Sequence, residues 1–153
     1  GPFISPDMFR QFIIPYIHRH IPALKAEGLY VIQHSDCILT PILDDWTSPG
    51  MHLLHSLDPM AGMDLAEVKR RTRGRVALMG NVQCNLLQEG PDDAIRRSAR
   101  YALTHGAPGG GYMYSSSNTI FTGMPLRHYE HVMLDEFRRW QAEQPPTVRN
   151  TVP

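Results

Sequence analysis

The sequence predicts an α/β protein of four strand–helix units with parallel strands. Two observations support this. Short apolar segments rich in β-branched and aromatic residues alternate with segments of helical period along the 153 residues, and each short segment ends in polar side chains. Such alternation is typical of parallel strands joined by right-handed crossovers, in a barrel or a doubly wound sheet. The length is sufficient for one domain with a hydrophobic core.

The first unit begins with a capped helix. Ser5 is the predicted N-cap and Pro6 the first helical residue, and apolar side chains follow at helical spacing. We expect this helix to bend near Pro15 or Pro22 and to end at Gly28. A strand is predicted over residues 29–32, ending in the polar cluster 33–37.

Three further units follow the same order. Asp64 is the predicted cap of one helix, with Glu67 completing a capping box. The triple glycine at 109–111 precedes the last predicted strand. The predicted strands span residues 51–56, 75–79 and 112–114, and the predicted helices span residues 40–46, 64–71, 91–103 and 126–141.

Composition limits the class of partner. Fifteen Lys and Arg residues balance fifteen Asp and Glu residues, so no basic field attracts nucleic acid. The apolar runs are shorter than the roughly 20 residues that span a bilayer, so we expect no membrane partner and a cytoplasmic location. Cys37 and Cys84 are too few for a disulfide framework and are expected to be free thiols.

Polar residues at the strand ends mark the expected site. In both α/β folds the ligand lies at the carboxyl edge of the sheet. No glycine-rich nucleotide motif follows a strand, which argues against nucleotide binding. The residues expected to converge there are His34, Asp36, Asp58, Asn81, Cys84, Ser116 and Asn118.

Several strings in order resemble the uroporphyrinogen decarboxylase superfamily, which includes corrinoid and methylthiol methyltransferases. They are His34-Ser35-Asp36, residues 58–65, Gly80-Asn81-Val82, and residues 109–117 with their three glycines and three serines. The opening Ser5-Pro6 segment with Phe9, Phe12 and Pro15-Tyr16 is also similar. The resemblance implies the second half of a (β/α)8 barrel over residues 1–143, followed by a Pro-rich flexible tail, 144–153.

A half-barrel leaves two unpaired sheet edges, so completion by self-association or by a separate N-terminal half-barrel is expected. The resemblance implies cofactor-free decarboxylation, or binding, of a tetrapyrrole-like or other carboxylated substrate, as in porphyrin biosynthesis. Asn118 stands where the family has a histidine. The expected catalytic residues are His34 and Asp36, and the expected substrate-binding residues are Asp58, Asn81, Ser116, Ser117 and Asn118.

Two alternatives remain open. The methyltransferase branch resembles a zinc enzyme that activates a thiol, with a corrinoid protein as partner. Here His34 keeps one ligand position and Asp36 replaces a cysteine, which would leave a weaker metal site with N and O ligands. The other alternative is a non-catalytic half-barrel that binds a ligand or a partner chain. His52 and His55 lie three apart on a strand and are expected on opposite faces.

Overall fold

The computed structural model describes residues 3–145 and contains one parallel sheet. Its four strands lie in chain order, with each strand paired to the next. An order that never reverses distinguishes a barrel-type arrangement from a doubly wound sheet, where a reversal forms the ligand crevice. The predicted fold, four parallel units forming half of a (β/α)8 barrel, is confirmed. The strands are β1 (Ile32–Ser35), β2 (Leu53–Ser56), β3 (Ala77–Val82) and β4 (Tyr112–Ser116).

The helices flank these strands in the predicted alternation. Short 3-10 turns span Thr40–Ile42 and Pro59–Ala61, and a π-helical turn spans Tyr129–Met133 within the last helical segment. The α-helices are α1 (Pro6–Phe12), α2 (Ile14–Ala26), α3 (Leu43–Thr47), α4 (Leu65–Thr72), α5 (Cys84–Glu89), α6 (Asp92–Gly106), α7 (Leu126–His128) and α8 (Leu134–Glu143).

The core lies between one face of the sheet and the helices. Leu54 on β2 and Leu78 on β3 are fully buried there. Helix α6 packs on β3, β4, α4 and α8 and contributes the buried Ile95 and Ala99. This outer face of the sheet is therefore closed by the chain's own helices, and it holds the strands in the register that positions the site.

The opposite face, called here the inner face, is open. It carries Ile32 paired with Leu53 and, two residues further along the strands, Met79 paired with Met113. Ile32 is 58% exposed and Met113 is 52% exposed, whereas Leu53 is nearly buried. In a complete barrel this face lines a packed interior. In this chain it leaves a concave apolar surface uncovered.

The first strand lies three residues later than predicted. Leu29 and Tyr30 have the β propensity but are 53% and 86% exposed, because the chain meets β2 only at Val31. The carbonyl of Val31 accepts from the N–H groups of His52 and Leu53. The shift places His34 inside β1 instead of after it.

The predicted caps are confirmed, and two helical details differ. Ser5 Oγ accepts from Met8 N–H, and Asp64 accepts from the N–H groups of Ala66 and Glu67. Instead of the bend predicted near Pro15 or Pro22, the helix breaks at Ile13, two residues before Pro15. Proline has no N–H to donate, so Pro15 lies in the first turn of the new helix, where no donor is needed. Helix α5 was not predicted, since six residues carry little periodicity.

The last helix of the described residues, α8, ends at Glu143. Most of the predicted flexible tail, residues 146–153, lies outside the described residues. None of the helices within residues 3–145 has both the length and the apolar character that crossing a membrane requires.

Candidate functional site

A pair of histidines lies at the carboxyl end of β1 and β2. His34 and His55 occupy paired positions in the parallel register, so their side chains share the inner face. Their Nδ1 atoms are 2.7 Å apart, and the ring centroids are separated by 4.8 Å. The His34 side chain is 44% exposed toward the open face, whereas His55 is more enclosed. A reacting molecule in the cleft would therefore meet His34 first.

Asp36 anchors the outer end of this pair. Its Oδ2 lies 3.0 Å from His34 Nε2, and Ser56 Oγ donates to its Oδ1 at 2.8 Å. A further side-chain hydrogen bond comes from Asn118. Burial alone would raise the pKa of Asp36, but the hydrogen bonds from Ser56, His34 and Asn118 outweigh it and hold the pKa below 3.8. Asp36 is thus a carboxylate at neutral pH.

His55 is partly buried near the end of β4. Burial of the ring is the first cause that lowers the pKa of His55 below 6.5, and the neighbouring His34, which disfavours a second positive charge, is the second. The backbone of Ser116 acts in the opposite direction and does not outweigh them. The neutral form of the His55 ring is therefore favoured.

The short contact between the rings constrains their protons. Two facing nitrogen lone pairs or two facing N–H groups would repel at 2.7 Å, so one of the two Nδ1 atoms donates to the other. His34 Nε2 lies 3.0 Å from the Asp36 carboxylate, which only accepts, so Nε2 carries a proton in this hydrogen bond. His55, His34 and Asp36 therefore form one hydrogen-bonded chain.

The backbone beneath the site allows a close approach at one glycine. Ser56, which holds Asp36, has φ +101° and is fully buried. A Cβ on Gly80 would collide with the Ser56 carbonyl oxygen, and Gly80 itself has φ +138°. Only glycine satisfies both conditions without displacing β2. Gly80 therefore supports the position of Ser56 and, through it, of Asp36.

The expected site residues fall into two groups. His34, Asp36 and Asn118 are brought together at the surface of the cleft, whereas Asn81 and Ser117 are buried beneath it. Asn81 Nδ2 donates to the Leu57 carbonyl at 3.0 Å, and its buried Oδ1 has no hydrogen-bond partner within residues 3–145. Ser117 Oγ accepts from the N–H of Cys84. The two buried residues hold the loops that follow the strands.

Ser116 and Asp58 are partly engaged in local structure. Ser116 Oγ donates to the Asn118 carbonyl at 2.6 Å, and Asp58 Oδ1 accepts from the N–H of Met60. A cavity of about 360 Å³ lies beside the histidine pair and is lined by Asp58, Cys84 and Asn118 among others. Asp58 and Asn118 thus border one hollow at the carboxyl edge of the sheet, where the sequence placed them.

Both thiols are free. Cys37 contacts Ser35, at 3.1 Å between Sγ and Oγ. Burial, together with the negative charge of Asp58, raises the pKa of the Cys84 thiol. Cys84 is therefore held as a thiol at neutral pH and is a poor nucleophile or metal ligand there.

The donor set does not fit a zinc ion. His34 Nε2 and Asp36 Oδ2 face each other at hydrogen-bond distance, so both donors are already used. Within residues 3–145 no group of three or more His, Cys, Asp or Glu side chains is arranged to hold a metal ion. Zinc sites in proteins have at least three protein ligands.

His55 and Ser56 are the residues that sequence reasoning missed. The sequence led us to expect His55 on the opposite face from His52 and did not pair it with His34, its partner in the register. The only local signal was the number of residues between the two predicted strands, and that number does not determine which residue of β1 pairs with which residue of β2. Pairing of His34 with His55 depends on β1 starting at Ile32 instead of Leu29.

Four parallel strands in chain order, alternating with helices, have the arrangement of one half of a (β/α)8 barrel. Comparisons with known proteins name the family. Residues 1–140 match the family model described as "Uroporphyrinogen decarboxylase (URO-D)". The chain therefore belongs to the uroporphyrinogen decarboxylase family, as the resemblance predicted.

Individual relatives agree with this assignment. The uroporphyrinogen decarboxylase of Cupriavidus necator is 29% identical over 157 residues, covering 91% of this chain and 39% of that protein. The enzyme of the same name from Chlorobium limicola is 32% identical over 103 residues, covering 63% of this chain and 27% of its own length. This chain thus spans about two fifths or less of the curated relatives it matches.

A solved structure shows the same fold. A methyltransferase from Methanosarcina mazei matches with a TM-score of 0.73 and 25% identity, covering 90% of this chain and 38% of that one. The partial coverage agrees with a half-barrel. Members named for two different chemistries therefore share this fold, and the site must discriminate between them.

Proposed function

We propose that this chain forms one half of a decarboxylase-type barrel, in which the His34–His55 pair donates a proton to a carboxylated, tetrapyrrole-like substrate. The observation that carries this proposal is the 2.7 Å contact between the two Nδ1 atoms, continued to Asp36 at 3.0 Å. Loss of carbon dioxide leaves an electron pair on carbon, which a general acid must protonate. In this proposal the general acid is the exposed ring of His34.

The neighbours of His34 suit this role. In the proposed step the substrate carbon loses carbon dioxide and takes the Nε2 proton of a protonated His34, so the hydrogen bond from Nε2 to Asp36 breaks and the ring is left neutral. The Asp36 carboxylate stabilises the protonated ring before the step, and His55 keeps its contact with Nδ1 throughout. Solvent then returns the proton to Nε2. The substrate would lie against the inner face, with Asp58 and Asn118 at its border.

A second half-barrel completes the site in this proposal. The inner face exposes Ile32 and Met113, and the edges formed by β1 and β4 have no partner strand within residues 3–145. Another copy of the chain, or a separate half-barrel, would cover both features. Free Cys37 and Cys84 agree with the proposed cytoplasmic location.

The test uses uroporphyrinogen, the compound after which the relatives are named. Carbon dioxide release and the mass of the product are measured for the wild type, for His34→Gln, and for His18→Gln as a remote histidine control. We expect release by the wild type and the control but not by His34→Gln. Binding is followed separately with uroporphyrin by absorbance. The proposal would be contradicted if every assembled form of the chain failed both to bind uroporphyrin and to release carbon dioxide.

Methyl transfer is the second candidate, favoured by the methyltransferase with the matching fold. It would require a zinc site at His34 and Asp36 and a corrinoid-protein partner, and the donor set argues against zinc. Metal content of the purified protein, with His34→Ala as control, discriminates between the two chemistries. Stoichiometric zinc that His34→Ala abolishes would favour methyl transfer. Absence of both zinc and turnover would favour a non-catalytic assembly domain.

A further inference from the structure

A second polar cavity lies at the opposite end of the sheet. It has a volume of about 490 Å³ and is formed where the chain enters β2, β3 and β4. His52 lines this cavity, and His55 of the histidine pair lies three residues further along β2, roughly 10 Å away at the rise of a strand. The two sites are therefore separate, and nothing in the proposed reaction uses this cavity.

The charge around this cavity is one-sided. Its lining contains Lys25, Lys69, Arg73 and Arg75, and none of its lining residues is Asp or Glu. The whole chain has equal numbers of acidic and basic side chains, so this is a local concentration of positive charge. Only Arg75 has a carboxylate partner, Asp44 at 3.0 Å. Gathering three unpaired cations without an anion is electrostatically unfavourable.

The cations are held in place by backbone contacts. Lys25 Nζ donates to the Gly50 carbonyl at 2.8 Å, and Lys69 Nζ donates to the Gly110 carbonyl. Each ammonium keeps further N–H groups for a ligand. Arg73 has no hydrogen bond or ion pair within the described part of the chain, and it lies close enough to Lys69 to lower the pKa of that lysine, after burial of the lysine itself. Arg73 is therefore free to bind an anion.

Two uncharged features add donors and space. His52 Nδ1 accepts from the N–H of Val31, so the proton of the neutral ring lies on Nε2, which lacks a partner in the described residues. The turn Gly109-Gly110-Gly111 has φ values of +78°, +74° and +62° and no side chains to block an approaching ligand. Backbone next to such a turn can come close to the oxygen atoms of an anion.

We propose that this cavity binds the phosphate or diphosphate group of a small molecule, through Lys25, Lys69 and Arg73 with the glycine turn as its floor. A tetrahedral phosphate presents several oxygen atoms at once to ammonium, guanidinium and backbone donors, which a single carboxylate does not. The volume is in the range of small-molecule sites and exceeds what inorganic phosphate alone would fill. The ligand is a second molecule, distinct from the substrate at the carboxyl edge.

The test is calorimetric titration with sodium pyrophosphate at constant ionic strength. The wild type should show saturable binding, and Arg73→Gln should weaken it about tenfold, the loss expected of one charge-assisted contact. Arg70→Gln is the matched control, because Arg70 lies in the last turn of α4, which ends directly before Arg73, but does not line the cavity. Binding that is absent, that is equally tight in Arg73→Gln, or that is matched by citrate would overturn the proposal. Arg73 has no partners to lose, so its removal should leave the fold intact.

Discussion

His34 and His55 face each other across β1 and β2 with one proton between their Nδ1 atoms, 2.7 Å apart. Burial lowers the pKa of His55, and the charge of His34 lowers it further. Because His34→Gln removes the second cause, the variant should raise the pKa of His55 toward 6.5. Carbon-13 NMR of the His55 ring across the pH range measures this directly. An unchanged His55 pKa in the variant would mean that the rings do not share a charge.

The same pair predicts how stability depends on pH. The folded-state pKa of His55 is below its unfolded value of 6.5, so the folded protein binds fewer protons than the unfolded chain. Stability is therefore complete above pH 6.5 and declines as the pH falls toward the folded pKa of His55. Asp36 adds a second decline below pH 3.8 for the same reason. Urea unfolding at a series of pH values gives the free energy of unfolding, which should decline less steeply below pH 6.5 in His55→Gln than in the wild type. Equal slopes in the two proteins would contradict this prediction.

A buried ion pair joins α6 to α8. Glu136 is only 5% exposed, and Arg100 Nε donates to it at 2.6 Å. Arg100→Met leaves a buried carboxylate without its main partner and should lower the free energy of unfolding by about 3 kcal/mol. Arg138→Met removes an exposed pair with Asp135 and should change it within error. Urea denaturation gives the free energy of unfolding of both variants. Similar losses in Arg100→Met and Arg138→Met would refute the structural role of the Glu136 ion pair.

Gly80 is the glycine whose replacement should disturb the site. A methyl group there meets the Ser56 carbonyl, so Gly80→Ala should destabilise the protein by more than about 2 kcal/mol and displace Asp36. Gly74→Ala is the control. Gly74 also has positive φ, at +75°, but faces open space, and its cost should be about 1 kcal/mol. Thermal unfolding compares the two variants, and equal midpoints for Gly80→Ala and Gly74→Ala would show that the contact with Ser56 is unimportant.

The inner face should govern assembly. Met113 is 52% exposed on β4 and would be covered by a second half-barrel, so Met113→Lys should abolish self-association without changing the helical content. Leu126→Lys is the control, because Leu126 is 58% exposed but lies on α7, off the sheet. Sedimentation velocity gives the mass. A wild type that is monomeric at all concentrations, yet unfolds cooperatively, would exclude self-association.

Local sequence signals account for the elements and for the family. Ser5 and Asp64 are recognisable caps because capping needs only the neighbouring N–H groups. The alternation of strands and helices, and the ordered strings around His34, Gly80 and the three glycines, were sufficient for the barrel-type fold and the uroporphyrinogen decarboxylase family. His34, Asp36 and Asn118 were correctly expected at one edge, because parallel strands end there together.

Tertiary structure decided which of those residues touch. The contact between His34 and His55 depends on β1 beginning at Ile32, and the start of a strand is determined by where its neighbour can pair with it. The burial of Asn81 and Ser117 likewise depends on loops that pack from elsewhere in the chain. Side-chain periodicity is a local property and is legible in sequence, whereas register is a property of two distant segments. A shift of one residue would turn His34 to the other face.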